Sequence, residues 1–460
     1  MGHPPLDVDQ FFHSLVIPPR QPLTYETTLA DGRSEGELYL VNFENQLANS
    51  EPDLSLYTSK EPAVKTGSVK FAIEQESSSI ERESDLSADV SKARARNQAR
   101  DKRNARNNDY IYLVMRLSKD AGRTWGEPWE MRDLAGERIQ GNHQSVVRTR
   151  NGKLGLIYND HLHFPNGHPT RDGGSGIMYR ESEDEGHTWS EPVVVYPHHA
   201  MVCAGHAIVL DSGRIIAPAY RWISHDDTGA SEGDNHISFS FVLSSDDDGK
   251  SWQVSRSELF SYRYGACYSL GEPAIVPLTD GRLLMDLRSI HARRYQSTST
   301  DDGMTWSKAQ PVAGIASSSV PAILRRLPTG PLLMIWNQTS RGEILKGLHR
   351  ARLSCAVSDD DGVTWRNFFN LESLDNESKI APLPDDWFEV VEQQEDYWYW
   401  QPASNATRYV RAPGPLRNCY PDARVVGDEV VIVYDHGWGT LGVSSNGTKL
   451  RAIPIDYLTG

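Results

Sequence analysis

Apolar residues along the chain fall in short runs that come in pairs, each pair joined by a polar turn. SVVRT-RNGK-LGLIY at 145–158, AIVL-DSGR-IIAPAY at 207–220, AIVPL-TDGR-LLMDL at 274–287, AILRRL-PTGP-LLMIW at 322–336 and ARVV-GDE-VVIVY at 423–434 share this layout. Short apolar runs bounded by Gly, Asp, Asn and Pro read as strands, and two of them across such a turn read as a hairpin. A third strand follows, as at 176–180 and 236–242, and then a fourth, as at 191–196. The first unit is less regular, with its hairpin at 29–43 and its next strand at 110–117; the last has a hairpin and a strand at 449–457.

An octad, S-x-D-x-G-x-[ST]-W, recurs after the third strand and starts at Ser118, Ser182, Ser245, Ser299 and Ser358, a spacing of 54 to 64 residues. The chemistry of the octad is that of a turn: Asp caps backbone N–H groups, Gly takes a positive φ, and Trp anchors the turn on the sheet. A four-stranded unit repeated at this period is a propeller blade. Six units predict an all-β, six-bladed β-propeller of four-stranded antiparallel blades, one domain over 1–460 that closes where the chain ends meet. The sixth unit lacks the octad. The rhythm breaks at about 44–108, which runs polar and then basic; it reads as an insertion in the first blade, either a surface excursion or a contact for an acidic partner.

Composition narrows the partners. Lys+Arg 47 against Asp+Glu 62 gives a net charge of −15, which repels polyphosphates and argues against nucleic acid. Apolar runs of about four residues, such as Val430 to Val433, fall far short of the roughly 20 a membrane helix needs. Cys203, Cys267, Cys355 and Cys419 include no CxxC pair for zinc or redox chemistry, and no calcium loop of the EF-hand kind occurs, so no metal and no organic cofactor are expected. MGHPPLDVDQFF shows no secretory signal, whereas Asn337, Asn376, Asn405 and Asn446 head four N-glycosylation sequons, so the compartment stays open.

In a propeller the innermost strands line the axial channel, and residues that begin them gather at one mouth. Alignment on the hairpin turns places His143, Glu272 and Tyr420 at equivalent strand starts, with His206 two residues further in. Where the second strands return to that mouth stand Asn159, Tyr220, Arg288, Asn337 and Asp435, beside Asp160, Arg221 and His436. Any one of them reads equally as a channel side chain satisfied by hydrogen bonds.

The repeated octads resemble the Asp boxes of the sialidase (neuraminidase) superfamily, over most of the chain after about residue 110. GEPAIVPLTDGRLLMDLRSIHARRYQSTSTDDGMTW at 271–306 is similar to the segment in which a Glu starts one strand and an Arg ends the next, which matches Glu272 and Arg288. HRARLSCAVSDDDGVTW resembles the strand carrying another carboxylate-binding arginine, matching Arg350, and NCYPDARVV resembles the segment of the tyrosine nucleophile, matching Tyr420. The resemblance implies a retaining exo-glycosidase that removes a terminal acidic sugar. A phenol suits that task, because a carboxylate nucleophile would repel a substrate with a carboxylate at its anomeric carbon. The Tyr-Glu pair and arginine forks supply the base and the clamp. Three features depart from the family pattern. No F/Y-R-I-P strand occurs, and Arg20 in IPPRQP lies about two residues out of register as the third arginine. The acid/base aspartate belongs to the region taken by the insertion, with Asp53 as its candidate. Tyr420 is followed by Pro rather than Ser.

Two other readings stay open. His143 and His163, with Tyr220 and Arg288, suit a polysaccharide lyase that abstracts a proton next to a uronate carboxylate, or a rhamnosidase-like hydrolase. A glycan-binding propeller without catalysis is the third. Trp398 and Trp400 in EDYWYWQP form either a sugar-stacking platform or a packed blade edge.

Overall fold

The computed structural model describes residues 12–17, 23–45, 111–160, 176–198, 200–224, 236–263, 266–268, 270–289, 293–339, 350–373, 416–438 and 447–460. They form a six-bladed β-propeller. Blade one is Leu23–Asp31, Leu38–Asn45, Ile111–Ser118 and Trp129–Glu130; blade two is Gly141–Arg148, Leu154–Asp160, Ile177–Ser182 and Val193–Tyr196. Blade three starts with the short Ile208–Val209, which pairs with Ile215–Ser224; His236–Ser245 and Gln253–Val254 follow. Blade four is Leu270–Pro277, Leu283–Ser289, Arg293–Ser299 and Gln310–Ala316, and blade five is Ile323–Arg326, Leu332–Trp336, Leu353–Ser358 and Arg366–Glu372. Blade six takes Leu416–Val426, Glu429–Trp438 and Thr448–Pro454 from the end of the chain and its outermost strand, His13–Ile17, from the start. The expected closure by the chain ends is thus an antiparallel pairing of His13–Ile17 with Thr448–Ala452.

The central strands are apolar without interruption because both of their faces are covered. Val430, Ile432 and Tyr434 pack toward blade five, whereas the alternate residues Val431 and Val433 pack toward blade one. Period-two side-chain alternation feeds two different interfaces. Six apolar clusters result, each between two neighbouring blades, and together they make the core.

The octads close their turns alike. In the second, Ser182 Oγ donates to Asp184 Oδ1 at 2.8 Å and accepts from the Gly186 N–H at 2.8 Å. Asp184 in turn accepts from the Thr188 N–H and Oγ1, and Trp189 Nε1 donates to the Gly186 carbonyl at 3.0 Å. The left-handed conformation extends over two residues rather than Gly alone: Glu185 has φ 60° and Gly186 φ 86°, and the same pair recurs in all five octads. Blade six has the helix Ile455–Thr459 where an octad would follow its third strand.

Residues 46–110 lie outside the described residues, so the expected insertion at 44–108 is beyond description apart from the end of Leu38–Asn45.

Candidate active site

The first strands of neighbouring blades touch around the axis, except that blade three meets the first strand of blade four through Ile215–Ser224 and His236–Ser245. Four of the first strands carry the same irregularity, that of blade one lying between Tyr25↔Phe43 and Thr28↔Val41; the other three bear on the site. The pairing passes from Asn142↔Asn159 to Ser145↔Ile157 in blade two, from Gly271↔Arg288 to Ala274↔Asp286 in blade four, and from Cys419↔Asp435 to Asp422↔Val433 in blade six. In each case two residues oppose one, which is a β-bulge. The first residue of each of these three bulges is left-handed without being glycine: His143 at φ 50°, Glu272 at φ 40° and Tyr420 at φ 53°. Such backbone costs on the order of 1–2 kcal/mol per residue. The bulge re-aims these three side chains, and all three line one pocket.

That pocket holds about 380 Å³ of empty space, part of it open to solvent, and is also lined by His206, Tyr220 and Asp422. The Tyr420 phenol donates to Glu272 Oε1 at 3.2 Å, while Arg288 Nη1 donates to Glu272 Oε2 at 2.5 Å. Arg288 Nε is fixed on Ser319 Oγ at 3.0 Å. The Arg350 guanidinium lies over the Tyr420 ring, 5.3 Å from its centroid, and reaches Cys419 Sγ at 3.6 Å. Glu272 and Arg288 come from blade four, Tyr420 from blade six and Arg350 from the segment leading into the third strand of blade five, and they meet in one place.

Burial on its own would raise the Glu272 carboxyl, but the charges of Arg288 and Arg350, the Arg288 hydrogen bond and His143 outweigh it and hold the group below its ordinary value of 4.5. Arg288 keeps its proton beyond the ordinary range because Glu272 more than offsets its burial. Burial, reinforced by the Glu272 charge, drives the Tyr220 phenol well up; its hydroxyl meets Met201 Sδ at 3.2 Å. His206 is buried and pushed down to about 4, chiefly by that burial, and its Nδ1 stands 2.9 Å from the Pro273 carbonyl.

Other expected site residues stand elsewhere. Arg221 is ion-paired with Glu258 at 2.6 Å and stacks on Phe239, away from the pocket lining. Asn159 bonds the Ala200 carbonyl and the Val202 N–H, and His436 Nδ1 meets Asn418 Oδ1 at 2.7 Å; these are packing contacts between neighbouring segments. Asn337 corrects the sequon reading: it is 1% exposed, and its Nδ2 donates to the Arg352 and Asn418 carbonyls, so it offers no nitrogen to a glycan. Arg20, Asp53, His163, Asn376, Trp398, Trp400, Asn405 and Asn446 lie outside the described residues.

Beneath Tyr420 the structure adds a network that sequence reasoning missed. Asp422, buried two residues on, accepts from Arg325 Nη2 at 2.5 Å, Arg424 Nη1 at 3.0 Å and the Leu29 N–H at 2.8 Å. The D of NCYPDA was its only sequence signal.

Among the described residues no group of three His, Cys, Asp or Glu is placed to hold a metal ion, and no helix is long and apolar enough to cross a membrane.

The model of a family described as BNR repeat-like domain matches residues 146–407. Among solved structures, a Dyadobacter fermentans protein of unknown function aligns at 14% identity over 96% of this chain and 98% of that one, with a TM-score of 0.57. The Hadza microbial sialidase Hz136 aligns at 15% identity over 95% of this chain and 66% of that one, with a TM-score of 0.56. The Trypanosoma rangeli sialidase in complex with the inhibitor DANA aligns at 13% identity over 95% and 56%, with a TM-score of 0.51. At these identities the likeness is one of fold, and the chain spans about two thirds or less of the length of those sialidases. No curated protein matches the chain.

Proposed function

The chain belongs to the BNR repeat-like domain family, a family of the sialidase-type propeller fold, and from that premise we propose that it is a retaining exo-glycosidase for a terminal acidic sugar of the sialic-acid type. The observation that carries this reading is the Tyr420 phenol seated on the Glu272 carboxylate between two guanidinium groups. Tyr420 Oη attacks the anomeric carbon as its proton passes to Glu272, and the glycosidic C–O bond breaks. Water then cleaves the glycosyl-tyrosine bond, so the configuration is retained. A neutral phenol admits a substrate whose carboxylate adjoins the reacting carbon, and the depressed Glu272 stays ready as base. Arg288 and Arg350 clamp the substrate carboxylate as forks, with Arg20 proposed as the third cation, while His143 and Tyr220 bound the sugar. The acid for the departing oxygen is assigned to the segment 44–108, with Asp53 as its candidate.

A second reading rests on His143, which the bulge aims into the same pocket as Tyr220 and which makes a uronate lyase or a rhamnosidase-like hydrolase the alternative. A binding propeller without catalysis is the third.

Hydrolysis of an aryl α-sialoside, run beside Tyr420→Phe and beside acidic polysaccharides followed by ultraviolet absorbance, separates them. Sialoside turnover lost in Tyr420→Phe supports the first reading. Absorbance rising on a uronate polymer without sialoside turnover moves the assignment to His143, and silence in both assays to a binding module.

A further inference from the structure

The pairing that skips Glu272 and Pro273 leaves this bulge without ladder partners at the point where the general base is aimed. Neighbouring blades brace such bulges. In blade two the carbonyl of Gln144, the second bulge residue, accepts from the Gly205 N–H of the segment leading into blade three at 3.0 Å. In blade four the corresponding carbonyl, that of Pro273, meets a side chain instead, His206 Nδ1 at 2.9 Å, inside a fully buried contact. A carbonyl can only accept, so Nδ1 must carry the hydrogen.

We propose that His206 is a positioning residue for Glu272: its Nδ1–H holds the Pro273 carbonyl and thereby fixes the left-handed bulge that places the Glu272 carboxylate between Tyr420 and Arg288. This deepens the glycosidase reading and rests on it for the catalytic consequence, but not for the structural one. The role differs from sugar contact, because it passes through the backbone of the next blade. The groups that surround Glu272 are Arg288, Arg350, His143, Tyr220 and Tyr420; those near His206 are Arg325, Asp422 and Glu272. A shift of the Glu272 carboxylate by a fraction of an ångström away from Arg288 weakens the interaction that keeps it ionised.

Two substitutions separate the nitrogens. Asn places an amide N–H about where Nδ1 stands, and Gln places one about where Nε2 stands. The test follows the Glu272 carboxyl by carbon-13 NMR titration of glutamate-labelled protein, the signal being assigned by its loss in Glu272→Gln, together with aryl sialoside kinetics. His206→Asn is expected to leave both unchanged. His206→Gln is expected to raise the Glu272 midpoint by roughly half a unit or more and to lower kcat about tenfold with KM little moved. An unshifted Glu272 in His206→Gln, or an Asn variant as impaired as the Gln variant, overturns the proposal. If neither variant folds, nitrogen-15 NMR of the histidines in the wild-type protein decides: His206 must carry its hydrogen on Nδ1, and a hydrogen on Nε2 with bare Nδ1 overturns the brace. Should the wild type turn over no sialoside, the glycosidase reading fails while both NMR measurements still test the brace.

Discussion

Tyr420 and Glu272 are 148 residues apart and belong to blades six and four, yet the phenol of one donates to the carboxylate of the other at 3.2 Å. Each stands at the first position of a bulge with a positive φ. If this pair is the nucleophile and its base, Tyr420→Phe keeps the ring under Arg350 and removes only the attacking oxygen. Turnover of an aryl α-sialoside should fall by at least roughly 10³-fold while the acidic sugar still binds, as calorimetry with the free sugar would report. An unchanged rate would remove Tyr420 from the chemistry.

Glu272 also sets a pH dependence. Its carboxyl is held below the ordinary 4.5, the Arg288 and Arg350 charges overcoming its burial, so it is a group with a depressed folded value. Its contribution to stability is then fully present above the unfolded value and is lost as pH falls through the folded one. Denaturant melts of wild type and Glu272→Gln should differ most at neutral pH, and the gap should close at acid pH. Activity follows the same group: kcat/KM should hold down to a limb below 4.5, and Glu272→Gln should cost about 10²–10⁴-fold.

Much of this arrangement was legible in the sequence, for definite reasons. The octads are local: Ser182, Asp184, Gly186, Thr188 and Trp189 bond among themselves, so their spacing declares the turn without knowledge of the rest. Hairpin alignment placed His143, Glu272 and Tyr420 together because every blade repeats one register. What escaped is contact between blades, which no local pattern records. Arg221 was expected at the mouth beside Tyr220, but adjacent strand residues face opposite ways, and it pairs with Glu258. The His206 contact with Pro273 and the Asp422 knot join residues of different blades. Asn337 has the letters of a sequon, but its burial against Asn418 is tertiary. Peptide mapping after expression in a secretory eukaryotic host should therefore find Asn337 unmodified.

The octad tryptophans are a graded test of packing. Trp189 is fully buried in the cluster between blades one and two, and its Nε1 bonds Gly186. Trp125 is only partly buried in the equivalent turn. Trp189→Ala should destabilise by about 3–5 kcal/mol, and Trp125→Ala by clearly less, in urea melts. Equal losses would mean that the turn hydrogen bond rather than interface packing is the tryptophan's main contribution.

Asp422 makes the sharpest stability prediction, because its carboxylate joins three blades at the axis. It takes the Leu29 N–H of blade one, Arg325 of blade five and Arg424 of its own strand; Arg325 also reaches the Ala423 carbonyl at 2.8 Å and the Gly205 carbonyl, on the segment leading into blade three, at 3.0 Å. Burial pushes Arg325 down to about 10 even with Asp422 beside it, a sign of how poorly this place tolerates an unpaired cation. Asp422→Ala strips the counter-charge and should cost about 3–5 kcal/mol. Arg325→Met alone leaves Asp422 with Arg424 and the Leu29 N–H, so its cost should be smaller. In the double variant the buried cation is gone along with its partner, and the loss should fall well short of the sum of the two single losses, a coupling that denaturant melts of the four proteins measure directly. Additive losses would mean that the carboxylate acts through the Leu29 N–H and not through Arg325. In that case the closure of blade six on blade one, rather than an ionic knot across the axis, would be what holds the strand of Tyr420 in place.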